Sequence, residues 1–294
     1  MDIKLNDIDI AEGVRFMREL IHEIEAVQQG KHPDPASFAE GSSEWPFIWQ
    51  LNQLAYNKIA EGYQEAYFKN RLLAKLFDGW LAQISKGGQI LDAGCGHGQP
   101  VIARLLKKGY RVTGSDFSEA MLQRASQQFP QATFIQKATP MIRNQAAFDG
   151  ICSFNSTLYL DPVDLLHSIY RFHNALKPGG LLFLFGFDSG PDWRGEPFSH
   201  RVGQWMWSWH YGMEEAVSLL EEHGYFKVIQ SQKVQVDEKE AERIAQELAK
   251  QKQEEEEYNK RQENAQSPFP LPFFKTPVER SPYAYVVIAR RCEK

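Results

Sequence analysis

A glycine-rich turn that directly follows an apolar stretch constrains this chain more than any other feature. The stretch Gln89–Pro100 reads QILDAGCGHGQP, in which two apolar residues and Asp92 precede glycines at positions 94, 96 and 98. Glycine permits unusual backbone dihedrals and a close approach of the backbone to a ligand. A helix that begins near Gln99 directs its free N–H groups back at the turn. The pattern therefore predicts a strand, a turn and a helix that together bind a nucleotide-like ligand.

A second acidic residue strengthens this interpretation. A helical stretch, Val101–Lys108, is followed by a second apolar run, Tyr110–Gly114, and then by Asp116. We expect Asp116 at the carboxyl end of the second strand, where a carboxylate can accept hydrogen bonds from ribose hydroxyls. The glycine spacing differs from the G-x-G-x-x-G of dinucleotide folds, and either spacing alone is weak evidence. The residues alone leave two adenosine-containing ligands open, a nicotinamide dinucleotide and S-adenosylmethionine.

Four motifs in register favour the second ligand. LDAGCGHGQP, VTGSDFSEAML, FDGICSFNS and LKPGGLLFLF follow one another within residues 86–187. This series resembles the class I S-adenosylmethionine-dependent methyltransferases, and FDGICSFNSTLYL is similar to their small-molecule branch, which includes methyltransferase type 11/25-like and glycine N-methyltransferase-like enzymes. The resemblance implies an α/β, Rossmann-like fold with a seven-stranded, mostly parallel sheet and helices on both faces. It also implies methyl transfer from S-adenosyl-L-methionine to a small-molecule acceptor, with S-adenosyl-L-homocysteine as the product.

The resemblance assigns cofactor binding to a set of positions: Arg71, Asp92, Gly94, Gly96, Gly98, Asp116, Phe117, Met121, Ala138, Thr139 and Asn155. Arg71 would pair with the cofactor carboxylate, although an exposed arginine at a helix start is an equal alternative. Met121 could instead belong to the core. The chain departs from the family after the third strand, where many members carry an acid and this sequence has Lys137-Ala138-Thr139. This departure leaves the adenine contacts open.

The acceptor is expected to bind beside an aromatic segment, residues 188–212, which we interpret as a substrate cap. It follows the fifth strand and is therefore expected at the same edge of the sheet as the glycine turn. A satellite cluster of packed aromatics is the alternative. The candidate substrate-binding residues are aromatic: Tyr56, Tyr63, Trp205, Trp207, Trp209 and Tyr211. The candidate catalytic residues are Tyr159, His200 and His210, and a general base is needed only if the acceptor arrives protonated.

The sequence divides into an extension and a main domain. Residues 1–70 are interpreted as a helical N-terminal extension, part of which acts as a lid or simply packs on the domain. Residues 71–294 form the methyltransferase-like domain, with an insertion at 237–281 before the last strand. Much of this insertion is highly charged and has only a thin apolar stripe, which favours a solvated helix over a partner or dimer contact.

Composition limits the remaining function classes. The 294-residue chain has a net charge of −5, which argues against a nucleic-acid partner. Its three cysteines lack metal-type spacing, so we expect reduced thiols and no metal site. No apolar run reaches the roughly 20 residues that span a bilayer, so we expect a cytoplasmic protein without membrane insertion. A homodimer stays open. The alternatives are a protein or RNA methyltransferase, an NAD(P)-dependent oxidoreductase and a non-catalytic cofactor-binding protein.

Overall fold

The computed structural model describes residues 46–63, 67–157, 160, 162–188, 199–201, 204–206, 211–235 and 283–293. Six helices lie in this part of the chain: α1 (Pro46–Ile59), α2 (Arg71–Leu81), α3 (Val101–Lys107), α4 (Glu119–Gln128), α5 (Pro162–Ala175) and α6 (Met213–Glu221). Its strands are β1 (Gln89–Ala93), β2 (Arg111–Asp116), β3 (Thr133–Gln136), β4 (Phe148–Phe154), β5 (Leu176–Phe187), β6 (Ser199–Arg201), β7 (Gln204–Met206), β8 (Phe226–Gln235) and β9 (Tyr283–Arg291). The predicted helix before residue 30 and the predicted insertion at 237–281 lie outside the described residues.

Seven of these strands form one sheet in the order β3-β2-β1-β4-β5-β9-β8. The pairs from β3 to β5 are parallel, whereas β9 runs antiparallel to both of its neighbours. The predicted α/β fold with a seven-stranded, mostly parallel sheet is therefore confirmed. Because β9 alone is reversed, the carboxyl ends of β1, β2, β4, β5 and β8 meet the start of β9 at one edge. We call this the carboxyl edge, and the opposite side the amino edge.

Side-chain periodicity explains why the helices cover the sheet. In α2, residues spaced three or four apart, Leu73, Phe77 and Trp80, are buried in the core cluster that also contains residues of α3. A second cluster on the other face combines α5 and α6 with alternate residues of the central strands. Asn70 caps α2 by accepting hydrogen bonds from the N–H groups of Leu72 and Leu73 at 3.0 and 3.1 Å. Helices therefore cover both faces of the sheet.

Two elements differ from the sequence-based expectation. The spacing of Tyr56, Ile59, Tyr63 and Tyr67 predicts a helix that runs on to Tyr67, but α1 ends at Ile59 and a separate 3-10 turn covers Tyr67–Lys69. Proline and paired glycines in the sequence Lys-Pro-Gly-Gly predict a turn before a strand that starts at Leu181. Strand β5 instead begins at Leu176, because this sequence forms a bulge within the strand. Phe148 pairs with Leu176 and Gly150 with Leu181, so the extra residues are extruded between these two pairs. Gly179 permits the bulge with a φ of 72°.

Candidate functional site

The glycine turn after β1 is held against the end of β2 by backbone hydrogen bonds. The N–H groups of Gly94 and Cys95 both donate to the carbonyl oxygen of Ser115, at 2.8 and 2.9 Å. Gly94 has a φ of 75°, and a Cβ atom placed there would lie only 2.2 Å from the Cβ of Ser156. Gly96 also has a positive φ, of 52°, but a Cβ there would meet nothing within 4 Å. The turn is therefore packed tightly against the β4 loop at Gly94 and open at Gly96.

Asp116 closes this turn from the end of β2. One carboxylate oxygen accepts a hydrogen bond from the N–H of Gly96 at 2.8 Å, and the other accepts from the N–H of Ser118 at 2.9 Å. Burial raises the pKa of Asp116 to about 6, although these backbone donors act in the opposite direction. Each carboxylate oxygen can accept a further hydrogen bond. Asp116 therefore presents a fixed acceptor beside the open side of Gly96, which is what a pair of ribose hydroxyls requires.

Helix α1 is joined to the same loop by two polar side chains. Gln53 donates from its amide nitrogen to the carbonyl oxygen of Phe117 at 2.7 Å. Ser118, the N-cap of α4, donates from its hydroxyl to Asn57 at 2.7 Å. Met121 lies fully buried under α1, in a cluster with Ala55, Tyr56 and Ala60. Met121 therefore lies where α1 meets α4. This placement favours the core assignment of Met121 over cofactor binding.

Aromatic rings extend from α1 across the glycine turn. Tyr56 lies edge-on to Phe117 and to Tyr63, with centroid distances of 5.8 and 5.6 Å. Tyr63 in turn lies edge-on to His97 at 5.9 Å. His97 is 4% exposed, and burial followed by the charge of Arg124 lowers the pKa of its imidazole. Tyr56 and Tyr63, predicted to bind substrate, are therefore brought to the glycine turn and the end of β2, among the predicted cofactor residues.

Asn155 occupies the end of β4 in a conformation that is rare for residues other than glycine. Its φ is 54°, and its N–H donates to the carbonyl oxygen of Phe185 at 2.8 Å. Its amide nitrogen donates to the Tyr67 hydroxyl at 3.4 Å, and its buried amide oxygen has no hydrogen-bond partner among the described residues. Tyr67 stacks on Phe154 with a centroid distance of 5.3 Å. A strained residue with a spare buried acceptor is typical of a ligand site.

The other predicted cofactor residues lie around the same edge, with one outlier. Asp92 is buried at the end of β1, and its carboxylate accepts a weak hydrogen bond from the Cys152 thiol at 3.7 Å. Ala138 and Thr139 follow β3 beside Asp116, whose carbonyl oxygen accepts from the N–H of Lys137 at 2.9 Å. Arg71, in contrast, is exposed at the start of α2. Its neighbour Asn70 donates to Gln235 at the end of β8, so Arg71 lies at the outer side of the edge.

The predicted acceptor segment is described only in part. Strands β6 and β7 form an antiparallel hairpin in which His200 pairs with Trp205, and β7 lies beside α1. Tyr211 is buried in the core, where its hydroxyl donates to the carbonyl oxygen of Leu160 at 3.0 Å, a placement that favours packing. The other predicted acceptor or catalytic residues lie outside the described part of the chain: Tyr159, Trp207, Trp209 and His210. Their roles stay predictions.

Sequence reasoning missed several residues that the fold brings to the site. Gln53 and Asn57 lie four residues apart on α1, a spacing that puts them on one face, but nothing in the sequence indicates which backbone they meet. The spacing of Tyr67 predicts a helical residue, and nothing in the sequence indicates its contact with Asn155. Within the described residues, no group of three or more His, Cys, Asp or Glu side chains is placed to hold a metal ion. Nor does that part of the chain contain a helix long and apolar enough to cross a membrane.

Comparisons with known proteins match the central part of the chain. Residues 90–180, which contain the glycine turn, Asp116 and Asn155, match the family described as "Methyltransferase domain". An uncharacterised methyltransferase of Synechocystis sp. is 33% identical over 111 residues, which are 37% of this chain and 52% of the relative. Residues 90–180 therefore carry a methyltransferase domain, within a sheet of the class I, Rossmann-like topology. The chain spans about half the length of the curated relatives it matches.

Two further relatives of the methyltransferase domain have named acceptors. The trans-aconitate 2-methyltransferase of Paracidovorax citrulli is 36% identical over 122 residues, covering 40% of this chain and 44% of the relative. The 27-O-demethylrifamycin SV methyltransferase of Amycolatopsis mediterranei is 26% identical over 166 residues, covering 53% and 60%. These two names bear on the acceptor class and are considered below.

Solved structures support the fold of the methyltransferase domain. A methyltransferase structure from Methanosarcina mazei superimposes with a TM-score of 0.52 at 17% identity, covering 73% of this chain and 97% of the other. The [4+2]-cyclase SpnF gives a TM-score of 0.55 at 16% identity, covering 83% and 96%. Because identity is so low, these likenesses show the fold alone. The second one is a reminder that a shared fold does not fix the reaction.

Proposed function

We propose that this protein transfers the methyl group of S-adenosylmethionine to a small-molecule acceptor. The observation that carries the proposal is the Asp116 carboxylate, held by the Gly96 N–H beside the open side of the glycine turn. A carboxylate fixed in this way suits a vicinal diol, because its two oxygens can each accept one hydroxyl hydrogen. Asp116 and the turn would hold the adenosine part of the cofactor.

The residues at the end of β4 suit the other part of the cofactor. Asn155 offers a buried amide oxygen without a partner, which could accept a hydrogen bond from an ammonium or hydroxyl donor. Tyr67, Phe154 and Phe185 form an aromatic cluster beside it, with centroid distances of 5.3 to 5.6 Å. Aromatic faces attract cations and exclude water, so this cluster suits a sulfonium centre. When bound, S-adenosylmethionine supplies an electrophilic methyl group with a neutral thioether as its leaving group.

The chain's own contribution to the reaction would be mainly positional. A methyl transfer of this kind needs its reactants held in line and kept dry, which rigid strand ends and aromatic walls provide. His97 lies beside the turn, but its buried imidazole has a lowered pKa and packs against Tyr63. This placement favours a neutral packing role for His97. The candidate general bases stay Tyr159, His200 and His210.

A small-molecule acceptor is supported by two kinds of observation. The named relatives are a trans-aconitate 2-methyltransferase and a 27-O-demethylrifamycin SV methyltransferase, and both names specify a small-molecule acceptor. The net charge of −5 also disfavours a polyanion surface, since nucleic-acid affinity depends on lysine and arginine contacts with phosphates. A protein or RNA methyltransferase is the alternative that an acceptor screen must separate.

Cofactor identity is tested by calorimetric titration with S-adenosylhomocysteine, S-adenosylmethionine, NAD⁺ and NADP⁺. We expect binding of the first two only. Asp116→Asn should weaken S-adenosylhomocysteine binding at least about tenfold, because hydrogen bonds to a charged group contribute about 1.5–3 kcal/mol. Asp149→Asn, which changes a carboxylate at the amino edge, should bind like the wild type. Preference for a nicotinamide dinucleotide, or full affinity in a folded Asp116→Asn variant, would reject the assignment.

Acceptor class is tested by incubating the protein with methyl-labelled S-adenosylmethionine and three separated fractions of a bacterial extract. These are the small molecules, the RNA and the proteins, and trans-aconitate is added as a separate defined acceptor. We expect label in the small-molecule fraction, where mass spectrometry then identifies the product. Label confined to RNA or protein would overturn the acceptor class. Cofactor binding with no label in any fraction would instead favour a non-catalytic role.

A further inference from the structure

Two hydrogen bonds hold Asn155 at the end of β4 and leave one end of its amide unused. Its N–H donates to the carbonyl oxygen of Phe185 at 2.8 Å, and its amide nitrogen donates to the Tyr67 hydroxyl at 3.4 Å. Its amide oxygen is buried and accepts no hydrogen bond from the described residues. Because an unpaired buried acceptor is costly, this oxygen is suited to a donor that a ligand brings.

Tyr67 is fixed to the same two strands that hold Asn155. Its ring stacks on Phe154 with a centroid distance of 5.3 Å and lies edge-on to Phe185 at 5.5 Å. Phe154 in turn stacks on Phe183 of β5 at 5.3 Å, within the core. Phe185 therefore contacts both partners, Asn155 through its carbonyl oxygen and Tyr67 through its ring. The core thus places the Tyr67 hydroxyl at a set position beside the Asn155 side chain.

The bond to Tyr67 determines which way the Asn155 amide faces. The nitrogen and the oxygen of an amide diverge from one carbon atom, so a nitrogen bonded to Tyr67 directs the oxygen away from Tyr67. The terminal torsion of an asparagine side chain has a broad range, so without this bond the amide could rotate and present its nitrogen instead. The Tyr67 hydroxyl therefore keeps the acceptor end of the amide available.

The Asn155 amide lies next to the glycine turn. Ser156, which follows Asn155, packs so closely against Gly94 that a Cβ atom added there would lie 2.2 Å from the Cβ of Ser156. The Gly94 N–H donates to the carbonyl oxygen of Ser115, the residue before Asp116, at 2.8 Å. The glycine turn thus joins the end of β4 to the end of β2. In the proposed function Asp116 binds the ribose, which leaves the end of β4 for the amino-acid part of the cofactor.

We infer that Tyr67 is a positioning residue, which turns the Asn155 amide oxygen toward the amine of the cofactor. Tyr67 acts through Asn155 and not through contact with the ligand. An amide oxygen only accepts hydrogen bonds, so it binds an ammonium group and disfavours a carboxylate. The inference rests on the proposed function, and it adds which group of the amino-acid part is recognised at the end of β4.

The test measures the affinity of the full chain for three ligands by calorimetry. They are S-adenosylhomocysteine, its decarboxylated analogue, which keeps the amine, and its deaminated analogue, which keeps the carboxylate. Tyr67→Phe retains the ring contacts and removes only the hydroxyl. We expect it to weaken binding of the two amine-bearing ligands about threefold to tenfold, because the amide must then be ordered on binding. Binding of the deaminated analogue should stay unchanged.

Two further variants complete the test. Asn155→Gly removes the amide and suits the positive φ of 54°, and it should weaken binding of the same two ligands at least about tenfold. In that background Tyr67→Phe should have no further effect, since Tyr67 acts through the amide. Tyr110→Phe is the matched control, because the Tyr110 hydroxyl donates to the carbonyl oxygen of Leu81 at 2.7 Å at the amino edge. It should lower the free energy of unfolding and leave all three affinities unchanged.

A weaker affinity of Tyr67→Phe for the deaminated analogue would overturn the inference, because Tyr67 would then affect the site as a whole. Unchanged affinities for the two amine-bearing ligands would overturn it as well. A wild type that binds none of the three ligands refutes the proposed function instead. In that event NMR spectra of the ligand-free protein decide whether Tyr67 fixes the amide. The Asn155 side-chain NH₂ resonances, assigned by their loss in Asn155→Gly, should shift in Tyr67→Phe, and unshifted resonances would refute the pairing.

Discussion

Asp149 at the amino edge and Asp116 at the carboxyl edge are held in place in different ways. At the amino edge, burial alone would raise the pKa of Asp149, but Lys177 and the Gln89 N–H together lower it. At the carboxyl edge, burial raises the pKa of Asp116 to about 6, and only backbone N–H groups act against it. Asp149 is compensated by a cation, whereas Asp116 is held in place by fixed donors.

This difference distinguishes a carboxylate that stabilises the fold, Asp149, from one that can bind a ligand, Asp116. An aspartate with a lysine partner gains a modest amount of stability and has little to offer a ligand. An aspartate held by the backbone alone stays available as an acceptor, at the cost of a less favourable ionised state. Asn155, with its positive φ and spare amide oxygen, belongs to the same group. Asp116 and Asn155 therefore stabilise the fold less than fully paired groups would, but they are in place before a ligand binds.

Alanine substitutions at three glycines should have the largest effects on the free energy of unfolding. In Gly94→Ala the new Cβ would overlap the Cβ of Ser156, in addition to the strain of a φ of 75°. We expect a loss of about 3 kcal/mol or more in the free energy of unfolding, because packed backbone cannot move aside cheaply. Urea unfolding monitored by circular dichroism measures this loss. A wild-type stability for Gly94→Ala would show that the β4 loop is not packed against the turn.

The other two glycines distinguish the effect of backbone strain on stability from an effect on cofactor binding. Gly96, in the turn, and Gly87, at the amino edge, both have a positive φ and open space at the Cβ position. Alanine at either should cost about 1–2 kcal/mol, the strain of a left-handed residue. Only Gly96→Ala should also reduce S-adenosylhomocysteine affinity, because its methyl group would project into the proposed cofactor space. Equal affinities in the two variants would remove Gly96 from the site.

Most of the sheet could be predicted because the apolar pattern within a single strand indicates where that strand lies. The short run Thr133–Gln136 and the apolar run Phe148–Phe154 each predict a strand, and β3 and β4 have these bounds. The Lys-Pro-Gly-Gly bulge in β5 could not be predicted, since its register depends on pairing with Phe148 and Gly150 in another strand. Local turn signals indicate that the chain bends, but a neighbouring strand decides whether pairing continues through the bend.

The site was predictable only where strand ends define it. Asp116 and Asn155 follow strands directly, so the topology of a parallel sheet brings them to one edge. The contacts of Gln53 with Phe117 and of Asp188 with Met213 join distant segments through backbone groups. Periodicity shows which face of a helix is polar, but not which backbone group that face meets. Such contacts therefore require the folded structure.

The raised pKa of Asp116 predicts that cofactor affinity depends on pH. Ribose hydroxyls donate to the ionised carboxylate, so binding should favour that form. With a pKa of about 6, each pH unit below 6 should reduce S-adenosylhomocysteine affinity about tenfold, and binding near pH 6 should release a proton. Calorimetry in buffers of different ionisation enthalpy measures both quantities.

Asp116→Asn is the control for this prediction, because its remaining weak binding should lose the pH dependence between 5 and 7.

Whereas cofactor affinity should rise with pH, the contribution of Asp116 to the stability of the ligand-free protein should fall. The folded chain binds a proton at Asp116 more readily than the unfolded chain, so raising the pH from about 4 to about 6 should lower this contribution to the free energy of unfolding. A pH-independent affinity in the wild type would mean that Asp116 is not the group that binds the cofactor.

The smallest effect is expected at the amino edge. The pKa of Asp149 is lowered in the folded state, so its stabilising contribution is present above the ordinary aspartate pKa of 3.8 and lost as the pH falls through the folded value. Asp149→Asn should lower the free energy of unfolding at pH 7 by only about 0.5–1 kcal/mol, since Lys177 is 40% exposed and water screens the pair. Urea unfolding at pH 7 and pH 3 should show this difference shrinking at the lower pH, with cofactor affinity at pH 7 unchanged. A loss of cofactor affinity in this variant would mean that the two edges are coupled through β4, and the functional contrast between them would not hold.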